Sequence, residues 1–258
     1  MMKYDKKFLR NKDGIISIEF AACFFIFSIL VFIIYDIYSS IMLQSRLERV
    51  NYAISAIFRE RSSIYPIIDD TQSGNNDHSL CRVNGHACFN SYELFNDGQI
   101  EQLQLLASSL LDRPVAIKVD ALFILQDANY PKDLTRALLL NINGEFCPEG
   151  ACNGGINNYF NSLPSMTDNS TSSVTNYSKL VPYVPRMYDA NSGLSGRWIP
   201  LYRVSMCVVN EESLYLKWIN SNRHTDQVFP NLCSNSVVLS RCNDIFDADS
   251  TACPIYLR

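Results

Sequence analysis

The stretch Gly14-Ile15-Ile16-Ser17-Ile18-Glu19-Phe20-Ala21-Ala22-Cys23-Phe24-Phe25-Ile26-Phe27-Ser28-Ile29-Leu30-Val31-Phe32-Ile33-Ile34-Tyr35 decides how the rest of the chain is read. It is an almost unbroken apolar run of about 20 residues, which as a helix rises roughly 30 Å, the thickness of a bilayer's hydrocarbon core. One residue departs from the pattern. Glu19 places a carboxylate five positions after Gly14, and an ionisable group inside a membrane segment costs about 2–3 kcal/mol or more unless it finds a partner. A residue kept at that cost is a candidate functional residue.

The charge around the run has a direction. Lys3, Lys6, Lys7, Arg10 and Lys12 against Asp5 and Asp13 give the first fourteen residues a charge of +3. The total is −4, so the rest of the chain carries −7. Basic residues just before a membrane segment stay on the cytoplasmic side, which predicts a cytoplasmic N-terminus and an exterior C-terminal portion. An acidic exterior portion argues against nucleic acid as a partner.

Three readings compete for this beginning. A cleaved secretory signal has an apolar core of about 7–15 residues and then a small-residue cut site; this core is longer, and Asp36-Ile37-Tyr38-Ser39-Ser40 offers no such site. An uncut anchor accounts for length and charge but not for Glu19. The third reading is a leader that resembles those of type IV pilins, which implies a cut after Gly14 on the cytoplasmic side and accounts for all three. It would expose a positive α-amino group on Ile15, and a neighbouring subunit's amine could then neutralise Glu19 in the apolar phase.

Lys12-Asp13-Gly14-Ile15-Ile16-Ser17-Ile18-Glu19-Phe20-Ala21 resembles the N-terminal motif of the TadE/TadF-type minor pseudopilins of tight-adherence (Flp-type IVb) pili. Arg197-Trp198-Ile199-Pro200-Leu201-Tyr202-Arg203-Val204-Ser205-Met206-Cys207 looks like a late strand of the TadF branch. The resemblance implies peptidase cleavage between Gly14 and Ile15, subunit pairing through Glu19, and a role in pilus assembly. It also implies a prepilin peptidase and other pilin or pseudopilin subunits as partners. The location implied is the bacterial inner membrane, single-pass, with the C-terminal domain periplasmic. The alternative is an uncut signal-anchor protein whose disulfide-rich exterior domain binds a ligand or surface.

Of nine cysteines, Cys23 lies in the apolar run. The other eight are Cys81, Cys88, Cys147, Cys152, Cys207, Cys233, Cys242 and Cys253. An even set beyond a membrane segment reads as a disulfide framework in an oxidising compartment. Eight cysteines allow on the order of a hundred pairings. Short loops favour Cys81–Cys88, Cys147–Cys152 and Cys242–Cys253, leaving Cys207 with Cys233, but sequence does not choose among the possibilities.

Beyond Tyr35, Leu43, Leu47, Val50, Ile54 and Ile57 recur at spacings of four and three, a helical seam. The helix should continue to about Tyr65, its stripe packed on the chain's own exterior domain or on a partner helix. A second helix is expected over Asn96–Asp112, with Ile100, Leu103, Leu106, Ala107 and Leu110 on one face and Pro114 as the stop. Strands are expected over Val115–Leu125, Leu134–Ile142, Trp198–Val209 and Val237–Leu239, and a short helix or strand over Glu212–Ile219. Residues 66–92 and 143–196 read as loop. The fold class is therefore α+β: a cytoplasmic leader (1–14), a transmembrane helix (15–35), a helical stem (36–65) and a disulfide-bonded periplasmic domain with an antiparallel sheet (66–258).

No constellation supports catalysis or a cofactor. His78, Cys81, His86 and Cys88 could form a tetrahedral zinc set, but they lack Cys-x-x-Cys spacing, and an oxidising compartment favours a disulfide. Asp168-Asn169-Ser170-Thr171-Ser172 spells the opening of a metal-ion-dependent adhesion site without the apolar strand that should precede it. Asn169 and Asn176 head glycosylation sequons, and His224 stands alone. The mixture of Tyr and Pro over Tyr177–Tyr188 reads as loop packed on the sheet or as a display surface. No nucleophile, phosphate-loop or zinc-protease motif is present.

Overall fold

The computed structural model describes residues 15–69, 80, 88–149, 151–152, 154–167, 177–189, 194–209, 231–242 and 253–258. One helix, α1 (Ile15–Arg59), runs unbroken for 45 residues, about 68 Å. It contains no Gly or Pro, and its apolar first half leads directly into an amphipathic second half. It ends six residues short of Tyr65, in a 3-10 turn at Arg61–Ser63. There Arg61 is buried against the rings of Phe58 and Phe95, at 4.8 and 5.6 Å, and burial lowers its pKa.

The domain is built on a four-stranded antiparallel sheet in the order β4-β3-β7-β8: β3 (Ala116–Leu125), β4 (Leu138–Phe146), β7 (Leu201–Val209) and β8 (Asn231–Leu239). Along β3, Ile117, Val119, Ala121, Phe123 and Leu125 face one side, together with Tyr202, Val204, Met206 and Val208 of β7. Against that face pack Leu43, Leu47, Ile54 and Phe58 of α1. The stem stripe is therefore buried on the protein's own sheet, the first of the two packings its seam allowed. Val50 and Ile57 are only partly buried, whereas Phe58 is fully buried.

The second helix, α2 (Asp97–Leu111), packs on the same face through Ile100, Leu103, Ala107 and Leu111. The side chain of Asn96 accepts from the backbone N–H of Gln99 at 3.0 Å, and Asp112 closes the helix in the left-handed region at φ 54°. Leu106 and Leu110, expected in the core, are exposed. The polar Gln99 and Gln104 take inward positions instead, and Gln104 donates to Ser108 Oγ at 2.8 Å and to the Val115 carbonyl at 3.0 Å.

The other face of the sheet is covered too, which explains why β3 reads as a continuous apolar run. Leu122, Ile124 and Leu201 meet Trp198, Val181 and Met166. Ala116 and Cys207 meet Ile156 and Phe160 of α3 (Gly154–Ser162). Thus residues 143–196, expected to be loop, hold a helix and a hairpin, β5 (Tyr183–Asp189) with β6 (Leu194–Trp198). Tyr183 pairs with Trp198 across that hairpin, and a Cβ on Gly196 would come within 2.6 Å of the Tyr183 ring. The expected strand Trp198–Val209 is broken at Ile199–Pro200, where the chain passes from hairpin to sheet. β4 begins and ends four residues later than the expected strand Leu134–Ile142, because Asp133 and Thr135 form a turn (Thr135 N–H to Asp133 Oδ1, 3.0 Å). In the stretch 66–92, two-residue strands β1 (Ile68–Asp69) and β2 (Asn90–Ser91) pair.

Candidate functional site: an exposed helix on a tied-down domain

The two halves of α1 differ in what they touch. From Ile18 to Met42 the apolar side chains are open on the isolated chain, Phe20 at 73% and Phe25 at 65%, while Leu47, Ile54 and Phe58 are fully buried. Nothing in the described domain covers the first half, although its aromatic side chains contact one another, Phe20 and Phe24 at 6.4 Å. A long apolar helix exposed all round is suited to lipid or to other helices, not to water. Glu19 lies on this open half, exposed, with no ion pair to any described residue. Ile15 is the first residue of the helix; Gly14 lies outside the described residues. Cys23 is exposed and unbonded.

The second half is held by polar ties as well as apolar ones. The Asn51 amide donates to Ser234 Oγ at 3.1 Å, and Ser55 hydrogen-bonds Ser236. At the helix end the Arg241 N–H donates to the Arg59 carbonyl at 3.0 Å, and the Arg241 guanidinium meets Glu60 at 3.0 Å. A displacement of this half therefore has to move β8 with it.

Behind this contact sits a buried ionic core that sequence reasoning did not detect. Glu93 is fully buried and takes both oxygens to Arg197, at 2.7 and 3.0 Å. Ser240 donates to Oε1 at 2.8 Å, Tyr256 donates to Oε2 at 3.0 Å, and Tyr202 donates to the Glu93 backbone carbonyl at 2.7 Å. One residue thus joins the segment after β2 to β6, the end of β8 and the C-terminal tail through its carboxylate, and to β7 through its backbone carbonyl. A buried charge is tolerable when its lone pairs are satisfied in this way. Burial, reinforced by the Glu93 charge, raises the pKa of both Tyr202 and Tyr256.

A second ion pair lies on the opposite sheet face. Asp120 and Arg203 are direct cross-strand neighbours in the β3–β7 register and meet at 2.7 Å, both buried. Arg203 also donates to the Pro164 carbonyl at 2.7 Å, fastening the covering loop. The only sequence signal for either pair was charge inside apolar strands: Asp120 within Val119–Leu125, and Arg197 and Arg203 around Trp198–Val204.

Disulfides join Cys147 to Cys152, Cys207 to Cys233 and Cys242 to Cys253, with Cα separations of 5.6, 4.2 and 5.8 Å. Cys207 and Cys233 are register partners across β7 and β8. Cys88 is disulfide-bonded as well, and Cys81 lies outside the described residues. So do His78, His86, Asp168–Ser172, Asn176, Glu212–Ile219 and His224. Among the described residues no group of His, Cys, Asp and Glu is placed to hold a metal ion.

The family model described as "Putative tight adherence pilin protein F" (TadF) matches residues 7–241. The chain belongs to this family. No curated protein and no solved structure matches it. A TadF chain is a component of the tight adherence pilus system, and with its long apolar N-terminal helix, the one such helix among the described residues, this one is a membrane-anchored protein. The match begins ahead of α1 and runs past the end of β8, so one family description covers the open helix and the sheet that it packs on.

Proposed function

We propose that this chain is a minor pseudopilin that takes part in assembly of a tight-adherence pilus after a prepilin peptidase cuts between Gly14 and Ile15. Its N-terminus is cytoplasmic, residues 15–35 cross the inner membrane, and residues 66–258 lie in the periplasm on a stem of residues 36–65. The observation that carries this reading is the exposed apolar run of α1 up to Tyr35, with Glu19 the one carboxylate within it. Glu19 costs too much in lipid unless something pairs with it. Cleavage supplies a partner: the new α-amino group on Ile15 of a neighbouring subunit. An apolar helix that is stable beside other helices only when this pair forms sets the axial register between subunits. The protein acts by packing, not by catalysis.

The test is made in the native host. The mature protein should begin at Ile15 by intact mass. Gly14→Leu should leave the leader attached. Glu19→Ala should be processed normally yet give no pili, with the exterior domain's unfolding midpoint unchanged. A mature chain that retains Met1, or normal piliation by Glu19→Ala, would overturn the proposal.

A further inference from the structure

We propose that the outer edge of β8 is a docking site for an extended segment of a partner protein, which adds to the sheet as a further strand and carries a basic residue. Among the described strands β8 pairs with β7 alone. Cys207 and Cys233 face each other across that pair with a Cα separation of 4.2 Å, the spacing of residues that exchange no backbone hydrogen bonds. The N–H and carbonyl of Cys233 therefore point away from β7. In agreement, the Gln44 side chain of α1 donates to that carbonyl at 3.4 Å. Backbone groups alternate in direction along a strand, so those of Asn235 and Val237 point outward as well.

A cleft of about 430 Å³ runs along this edge, lined by Gln44, Glu48 and Tyr52 of α1, residues 233–236 of β8 and Tyr159 of α3. Both faces of β8 contribute to it. Ser234 and Ser236 bond to Asn51 and Ser55 on the α1 side, whereas Asn235 donates to the Tyr159 hydroxyl on the α3 side at 3.4 Å. A cleft with a wall on each face opens at the edge between them. The helix wall from Gln44 to Tyr52 is about 12 Å long and the strand beside it roughly 10 Å. That is room for about four residues of extended chain, whose backbone bonds supply affinity while alternate side chains meet the two walls.

The walls define the chemistry of the occupant. Glu48 is the one charged residue that lines the cleft, and it is exposed. A single carboxylate beside an open edge selects a Lys or Arg on the arriving strand. Natural sheet edges are commonly blocked by a charge, a proline or a bulge; residues 233–237 contain none of the three. A second β8 is excluded by direction. Gln44, Asn51, Ser55 and Arg59 meet Cys233, Ser234, Ser236 and Arg241 in that order, so α1 and β8 run the same way. Two β8 edges paired antiparallel about a two-fold axis would point their α1 helices in opposite directions, which helices anchored alike in one membrane do not do.

The test uses the full chain in its native host, with Tyr52→p-benzoylphenylalanine as a photo-crosslinking probe in the cleft wall. Irradiation should join it to one extended segment of a different protein, with a Lys or Arg within about two residues of the joined position. Asn235→Pro removes an outward N–H and sets a ring against the arriving strand, but leaves the bonds to β7 in place. It should lower the adduct yield about tenfold at an unchanged unfolding midpoint. Glu48→Arg, on the exposed helix surface, should lower it about as far by repulsion, and decides the matter where the proline variant unfolds. The joined segment, as a synthetic peptide added to the purified chain, should slow exchange of the Asn235 and Val237 backbone N–H groups about tenfold. Absence of an adduct, a yield that either folded variant leaves unchanged, or a peptide that leaves exchange unchanged would overturn the proposal. So would an adduct on a helix, on a lipid or on a second copy of this chain.

Discussion

The first and second halves of α1 are one helix under two sets of rules. From Ile18 to Tyr35 the chain is apolar on almost every side and its large side chains are exposed; from Leu43 to Arg59 it is apolar on one side, and that side is buried. The backbone does not mark the change, since α1 crosses it without a kink residue. What changes is the origin of the stability. The second half draws on burial worth about 1.5–3 kcal/mol for each enclosed large apolar side chain, and the first half draws on an environment the chain does not supply. Residues of the second half and its support should therefore govern folding of the domain, and residues of the first half should govern only what happens after folding.

The largest effect that would sharpen this contrast lies in the ionic core under the second half. Glu93→Ala leaves the Arg197 guanidinium buried without its carboxylate and should lower domain stability by up to about 5 kcal/mol in chemical denaturation. Glu19→Ala, which removes the same kind of group from the open half, should leave the denaturation midpoint where it was. Next is a matched pair of rings. Phe58 meets Phe95 and Tyr202 edge-on at 5.4 and 4.9 Å, and Phe58→Ala should cost about 3–5 kcal/mol. Phe25→Ala, on an exposed ring, should cost the domain nothing measurable. Equal losses from the two Phe variants would mean that the halves fold as one unit and that the contrast is false.

A third effect separates the halves by pH. Tyr202 and Tyr256 are both buried in the domain with raised pKa. Above the ordinary tyrosine value near 10 the unfolded chain loses these protons while the folded chain keeps them. Fewer protons on the unfolded state means that stability falls as pH rises. The contribution is complete below about pH 10 and declines above it, by about 1.4 kcal/mol per pH unit for each tyrosine. Tyr256→Phe should roughly halve that slope in alkaline denaturation. The membrane half should show no matching transition in its helix signal.

How much of this was legible in the sequence follows from where each signal comes from. Helix α2 was readable almost to the residue, because Asn96 and Pro114 announce its ends locally. β3 and β7 were readable as strands, over Val115–Leu125 and Trp198–Val209, from their apolar residues. The hairpin β5–β6 was not, because a stretch carrying Pro185, Gly196 and many Asn and Ser residues looks like loop until Trp198 and Val181 are seen to cover the far side of the sheet. The ionic core was invisible for the same reason. Glu93 and Arg197 are 104 residues apart, and no local pattern links them. Charge within an apolar strand signals only that some partner exists. On α2, counting apolar residues misplaced the buried face: Leu106 and Leu110 are outside it, and Gln104 is inside because its amide finds Val115 and Ser108.

The smallest effect tests why the buried half of α1 is not wholly apolar. Asn51 and Ser55 sit between Leu47 and Phe58 on the packed face, and both bond to serines of β8. Asn51→Ala should cost only about 1 kcal/mol, the net value of one neutral hydrogen bond. Two leucines in place of Asn51 and Ser234 should be nearly neutral or stabilising, since both polar partners leave together. The polar pair does something that bulk burial cannot. An apolar stripe can slide along a sheet by one helical turn at little penalty, whereas an Asn that must find one serine fixes a single position. A slide of one turn is about 5.4 Å along the helix, enough to carry Glu19 past the level of a neighbour's amine. The double-leucine variant should accordingly be as stable as wild type in the denaturation assay and yet reduced in piliation. Full piliation by that variant would show that burial alone sets the register between the stem and its sheet.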